Sequence, residues 1–163
     1  MKLIISDSCS LILLEKSKIL SVFLDFNDIL IPREVYNETI VQGLKLGYLD
    51  AKKINEYILL KKIVVKDVKK LINLKINKGE REAISLYLEI NAHYLFTDDK
   101  KAINICKLKN INYITTPEII YKLYVLKKIS KKKTLTALDI ISKEGFYKSE
   151  IISHFYKLIV GDK

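Results

Sequence analysis

Apolar residues along the chain fall into short runs with two different periods. Leu3-Ile4-Ile5, Ile29-Leu30-Ile31, Ile63-Val64-Val65, Tyr94-Leu95-Phe96 and Tyr113-Ile114-Thr115 are compact and rich in β-branched or aromatic side chains, which predicts five buried strands. Between them apolar positions recur at helical spacing. The first helix follows Asp7 at once, with Ser8, Cys9 and Ser10 as capping residues before Leu11, Leu13 and Leu14. A second short one carries Ile19, Leu20, Val22, Phe23 and Phe26, and Asn27-Asp28 reads as the turn into the next strand. Pro32 suits a first helical turn, so 33–42 is predicted helical, with Gly43 and Gly47 marking its end. Further helices are predicted over 50–61, 68–76, 80–89, 100–107, 117–126, 134–143 and 149–159. Regular alternation of strand and helix, with helix-length crossovers, implies an α/β fold: a central parallel sheet covered on both faces, plus C-terminal helices.

At 163 residues, without internal repeat or low-complexity linker, the chain reads as one domain, 1–163, with residues 130–163 as an appended helical pair. No apolar run approaches membrane length, so no membrane association is expected. The first run is too short for a signal peptide and is broken by Ser6 and Asp7, which points to a cytoplasmic protein. Cys9 and Cys106 give neither a disulfide framework nor a zinc knuckle, and both are expected reduced and semi-buried. The net charge of +10 favours a polyanionic partner such as RNA. The same charge also fits a lysine-rich surface laced with ion pairs.

Ligands of open parallel sheets bind outside the carboxyl ends of the strands. Asp7 and the pair Asp98-Asp99 stand there, each directly after a strand. Glu38 and Glu80 lie on helices expected to pack beside those ends, with Glu82 in the same first turn as Glu80. Singly, such acids are what any solvated helix carries, and Asp98 and Asp99 also suit helix N-caps.

In combination they are more specific. A strand-borne acid near the N-terminus, Pro32 to Glu38, the helix start Gly79-Glu80-Arg81-Glu82-Ala83-Ile84 and Thr97-Asp98-Asp99 after a strand together resemble a PIN domain. The likeness is to archaeal and bacterial PIN proteins similar to VapC-type toxins, and it extends through Gly145-Phe146. That resemblance implies a metal-dependent single-strand ribonuclease with Asp7, Glu38, Glu80 and Asp98 as its acidic quartet. Asp99 is a rival for the fourth position and Glu82 for the third, where the family often has Asp. Mg²⁺ or Mn²⁺ would suit such hard oxygen donors, and several clustered carboxylates need a cation to stay ionised together. The resemblance also implies a homodimer and, if the protein is a toxin, a small antitoxin partner.

Other readings have less in their favour. A dehalogenase-like phosphatase needs a second acid two residues after the first, whereas the chain reads Asp7-Ser8-Cys9, and a receiver domain needs adjacent acids near the first strand. His93 and His154 lack metal-ligand spacing, Cys9 has no histidine beside it, and no phosphate-binding glycine loop occurs. Thr97 and Ser8 could orient a carboxylate, and Lys100 and Lys101 could meet a phosphate or form only a solvated first turn. Ten tyrosines and five phenylalanines could include a base-stacking platform. A PIN-like RNA-binding or regulatory module without catalysis remains the alternative function.

Overall fold

The computed structural model describes residues 2–161, in which the five apolar runs form one parallel sheet. Its strands are β1 (Lys2–Ser6), β2 (Asn27–Pro32), β3 (Ile63–Lys66), β4 (Tyr94–Phe96) and β5 (Tyr113–Ile114), in the order β3-β2-β1-β4-β5. All four pairings are parallel, with Ile4 opposite Ile29 and Tyr94, and Leu95 opposite Tyr113. Asn27 and Asp28 already belong to β2 instead of forming a turn.

Alternation along each strand divides the interior in two. Ile4, Ile29, Ile31, Ile63, Phe96 and Ile114 face one core, which they share with α1 (Ser8–Lys16), α2 (Leu20–Leu24) and α8 (Thr116–Val125). Leu3, Ile5, Leu30, Leu95 and Tyr113 face the other, against α6 (Lys78–Ile90) and α7 (Lys100–Leu108). The C-terminal helices α9 (Lys131–Glu144) and α10 (Ser149–Gly161) add Ala137, Leu138, Ile141, Ile152 and Ile159 to the first core and pack on α8, with α9 also against α1. No helix among the described residues is long and apolar enough to cross a membrane.

Two segments depart from their predicted form. Residues 68–76 are not helical but irregular, with bends at 69–70 and 75–76. Ile72, Leu74 and Ile76 dip at every second position against the second core, a strand-like period that the mixed apolar content concealed. Side chains of α6 satisfy this strap: Ser85 Oγ accepts from the Ile72 amide at 3.1 Å and Glu89 Oε2 from the Lys69 amide at 2.8 Å. The helix after Pro32 runs past its predicted end, as α3 (Arg33–Tyr36), a π-helical turn (Asn37–Gln42) and α4 (Gly43–Lys45) in unbroken sequence. It stops only at Gly47, whose φ of +75° suits a residue without Cβ. α5 (Leu49–Leu59) then leads to β3.

This topology positions the site. The chain builds outward from β1 through β2 to β3, then crosses back to place β4 on the other side of β1. Connections therefore leave β1 and β4 toward opposite faces, α1 toward the first core and α7 toward the second, which opens a crevice beyond the carboxyl ends of these two strands. Asp7 follows β1 and Asp98 and Asp99 lie in the turn after β4.

Candidate active site

Asp7 is the best-buried acid of the crevice, 2% exposed. Its amide donates to Phe96 O at 3.1 Å, continuing the β1–β4 ladder, and its Oδ1 caps α1 by accepting from the Ser10 amide at 2.9 Å. Ser10 Oγ in turn accepts from the Asp98 amide at 2.7 Å, which ties the two strand exits together. Oδ2 of Asp7 is buried without a hydrogen-bond partner. Burial pushes the Asp7 carboxyl up to about 7, against the pull of Thr97 and Ser10, and the charge of Asp98 adds to the rise.

The neighbouring pair divides its roles. Asp98 accepts from the Thr116 amide at 2.8 Å and from Tyr147 on Oδ1, and from Thr116 Oγ1 at 2.5 Å on Oδ2. Burial raises its pKa in spite of these bonds. Asp99 caps α7, its carboxylate accepting from the Ala102 amide at 2.8 Å, and its own amide donates to Thr97 Oγ1 at 3.3 Å.

Glu38 projects from the π-helical turn, a local widening of the helix frequent at functional sites. It accepts from Ser8 Oγ and lies flat against Gly79, where a Cβ would stand 2.5 Å from Oε2. Glu80 accepts from Asn77 Nδ2 at 3.2 Å, and its pKa is raised by burial, then by the charges of Asp99 and Glu38. Glu82 points elsewhere: Oε2 accepts from the Glu34 amide at 3.0 Å, satisfying a free donor in the first turn of α3. We expect Glu82→Ala to lower stability by about 1 kcal/mol, as loss of a helix cap does, and to leave divalent-ion binding unchanged. Glu80→Gln should do the reverse, and urea unfolding beside Mn²⁺ titration calorimetry separates the two.

Cys9, Glu80, Asp98, Asp99, Lys100, Lys101, Phe146 and Tyr147 line a cleft of about 550 Å³, which Asp7 and Glu38 do not line. Cys9 as a residue is exposed, contrary to expectation, while Cys106 is buried. Partial burial, followed by the charges of Asp7, Glu80, Glu38 and Asp99, pushes the Cys9 thiol up to about 11, which disfavours the thiolate. His93 is structural: Nδ1 accepts from the Leu3 amide at 3.0 Å.

Comparison with known proteins agrees with this architecture. A family model described as a PIN domain matches residues 3–159. The chain belongs to the PIN domain family. Two solved structures are similar. One is a PilT N-terminus domain protein of the hyperthermophilic archaeon Sulfolobus solfataricus, at 24% identity over 73% of this chain and 90% of the other, with a TM-score of 0.48. The other is a domain of a functionally unknown protein of Methanocaldococcus jannaschii, at 19% identity over 71% and 91%, with a TM-score of 0.51, and it supports the fold. No curated protein matches the chain.

PIN domains are generally nucleases and typically use divalent metal ions. In kind the donors of this one fit such an ion: all are hard carboxylate oxygens, and Asp7 Oδ2 is a buried one that nothing else engages. As placed, no group of three or more His, Cys, Asp or Glu side chains among the described residues is close enough together to hold an ion. Asp98 spends both its oxygens on Thr116 and Tyr147.

Three participants escaped sequence reading. Thr116 looked only like the residue before Pro117, Gly79 only like part of a helix start, and Tyr147 one tyrosine among many. Thr115-Thr116-Pro117 after a strand did hold a signal, since a strand exit adjacent to β4 must face the same crevice.

Proposed function

We propose that this PIN domain is a metal-dependent endoribonuclease that hydrolyses RNA phosphodiester bonds with water as nucleophile. Asp7 carries the reading: a carboxylate held in the crevice between β1 and β4 with one buried oxygen unpartnered. Mg²⁺ or Mn²⁺ bound there would polarise the attacking water and neutralise charge on the phosphodiester. The protein's own groups do the rest. Asp7, Glu38, Glu80 and Asp98 or Asp99 supply oxygens, Ser8 orients Glu38, and Thr116 orients Asp98. Lys100 and Lys101, at the cleft wall, are placed to meet backbone phosphates. In a cell the reading suits the toxin of a toxin–antitoxin pair in the cytoplasm, with a small antitoxin covering the cleft and a second copy completing a homodimer.

One observation favours a second reading, an RNA-binding or regulatory module without catalysis: both oxygens of Asp98 are already engaged. Incubating single-stranded RNA with the protein, with Mn²⁺, Mg²⁺ or EDTA, decides between them. Nuclease function requires fragments that appear with a divalent ion, vanish with EDTA and are lost in Asp7→Asn. RNA retained intact by a protein that binds it supports the module.

A further inference from the structure

The turn between α9 and α10 brings one residue to the cleft without giving it any packing. Phe146 is 99% exposed, whereas both its neighbours are fixed. Gly145 donates its amide to Ile141 O at 2.9 Å and is wedged between the end of α9 and α1: a Cβ there would lie 2.7 Å from Ile141 O of α9 and 3.1 Å from Leu13 Cδ2 of α1. Tyr147, one residue later, is held by its hydroxyl on Asp98. Phe146 is therefore presented on an anchored turn at the lip of the cleft lined by Glu80, Asp98 and Asp99. Lys100 and Lys101 line the same cleft, are exposed and form no ion pair among the described residues. An aromatic face with unpaired ammonium groups nearby matches a base joined to its phosphates.

Resting on the nuclease reading, we propose that Phe146 is a substrate-binding residue that stacks on a base of the RNA strand, while Lys100 and Lys101 hold the adjoining phosphates. Stacking of this kind needs a base freed from its neighbours, which a single strand offers and a duplex does not. Anchoring by Gly145 and Tyr147 would fix the distance between the stacked base and the acids, so Phe146 would help to set which bond lies over Asp7.

The chain contains no tryptophan, so Phe146→Trp introduces a single tryptophan at the lip, excited selectively over the ten tyrosines at the red edge of the absorption band. In an Asp7→Asn background with Mg²⁺, titration with a labelled single-stranded RNA octamer should quench that emission, with the same midpoint as the anisotropy of the label. A duplex of the same sequence should quench little. Phe146→Ala should weaken octamer binding roughly 5- to 150-fold, the worth of one base stack, and Phe146→Tyr should restore it. Because residue 146 packs against nothing, these variants should unfold like their parent. Binding by anisotropy without quenching, and unaffected by Phe146→Ala, would overturn the assignment while leaving the nuclease reading intact. Emission that shifts with protein concentration alone, and is then insensitive to RNA, would give Phe146 to an interface between two copies and overturn it equally. RNA binding absent from the wild-type protein and every variant would remove the nuclease reading and this inference with it.

Discussion

Asp7→Asn is expected to abolish metal-dependent cleavage and, in the metal-free protein, to raise stability at pH 8. Burial pushes the Asp7 carboxyl to about 7 from its ordinary 3.8. Between those values the native protein keeps a proton that the unfolded chain has released, so stability falls as pH rises through the window. Below it both states are protonated, and above it both are ionised with the loss complete. Roughly three pH units at about 1.4 kcal/mol each make the loss on the order of 4 kcal/mol. Asn at position 7 still accepts from the Ser10 amide as an N-cap and never ionises. Its buried amide lacks a partner where Oδ2 already lacked one, so that cost is common to both proteins. The variant should thus differ little from its parent at pH 4 and be the more stable protein at pH 8, read from urea midpoints in EDTA. Parallel pH profiles for the two proteins would refute a buried, high-pKa Asp7.

The same carboxyl makes cation binding pH-dependent. A divalent ion must displace the Asp7 proton, so affinity should drop up to tenfold per pH unit below about 7, and isothermal titration in buffers of different ionisation enthalpy should report proton release. Loss of cleavage in Asp7→Asn should reach on the order of 100-fold or more, since outer-shell partners of a metal are already worth about 10- to 100-fold and a direct ligand more. An acid that destabilises the folded chain for want of a cation is the arrangement expected where strain is kept for function.

Much of this was legible in the sequence, for identifiable reasons. Five apolar runs too short for helices located the strands, and acids immediately after two of them located the crevice. Glu80 and Glu82, two positions apart on one helix, lie some 200° apart around its axis, so only one can face a given point. Which one depended on where α3 packs, because Glu82 is turned to the Glu34 amide. The strap at 68–76 was misread because Val68, Leu71 and Ile72 mimic helical spacing, whereas the burial alternates through Ile72, Leu74 and Ile76. Capture of Asp98 by Tyr147 joins residues 49 positions apart and depends on how α9 and α10 return to the sheet. No local pattern encodes such a contact.

Gly79→Ala should separate fold from site. Gly79 is buried in the first turn of α6, and a Cβ there would come 2.5 Å from Glu38 Oε2, 2.9 Å from Oε1 and 3.0 Å from Cδ. All three atoms belong to the end of a flexible side chain, so the carboxylate yields and the backbone does not. Replacing Gly by Ala in a helix also contributes up to about 1 kcal/mol in propensity, so the thermal midpoint should hold or rise. Glu38, however, must leave its bond to Ser8 and its place beside Glu80. If Glu38 is a metal ligand, Mn²⁺ affinity should fall about 10- to 100-fold, the usual consequence of misplacing a ligand's support. Shortening the side chain in Gly79→Ala/Glu38→Asp withdraws the carboxylate from the new methyl group, and the double variant should bind more tightly than the two single effects add up to. Wild-type affinity in Gly79→Ala would place Glu38 outside the metal shell, and strict additivity would mean that the two residues act on the ion separately, in spite of their contact.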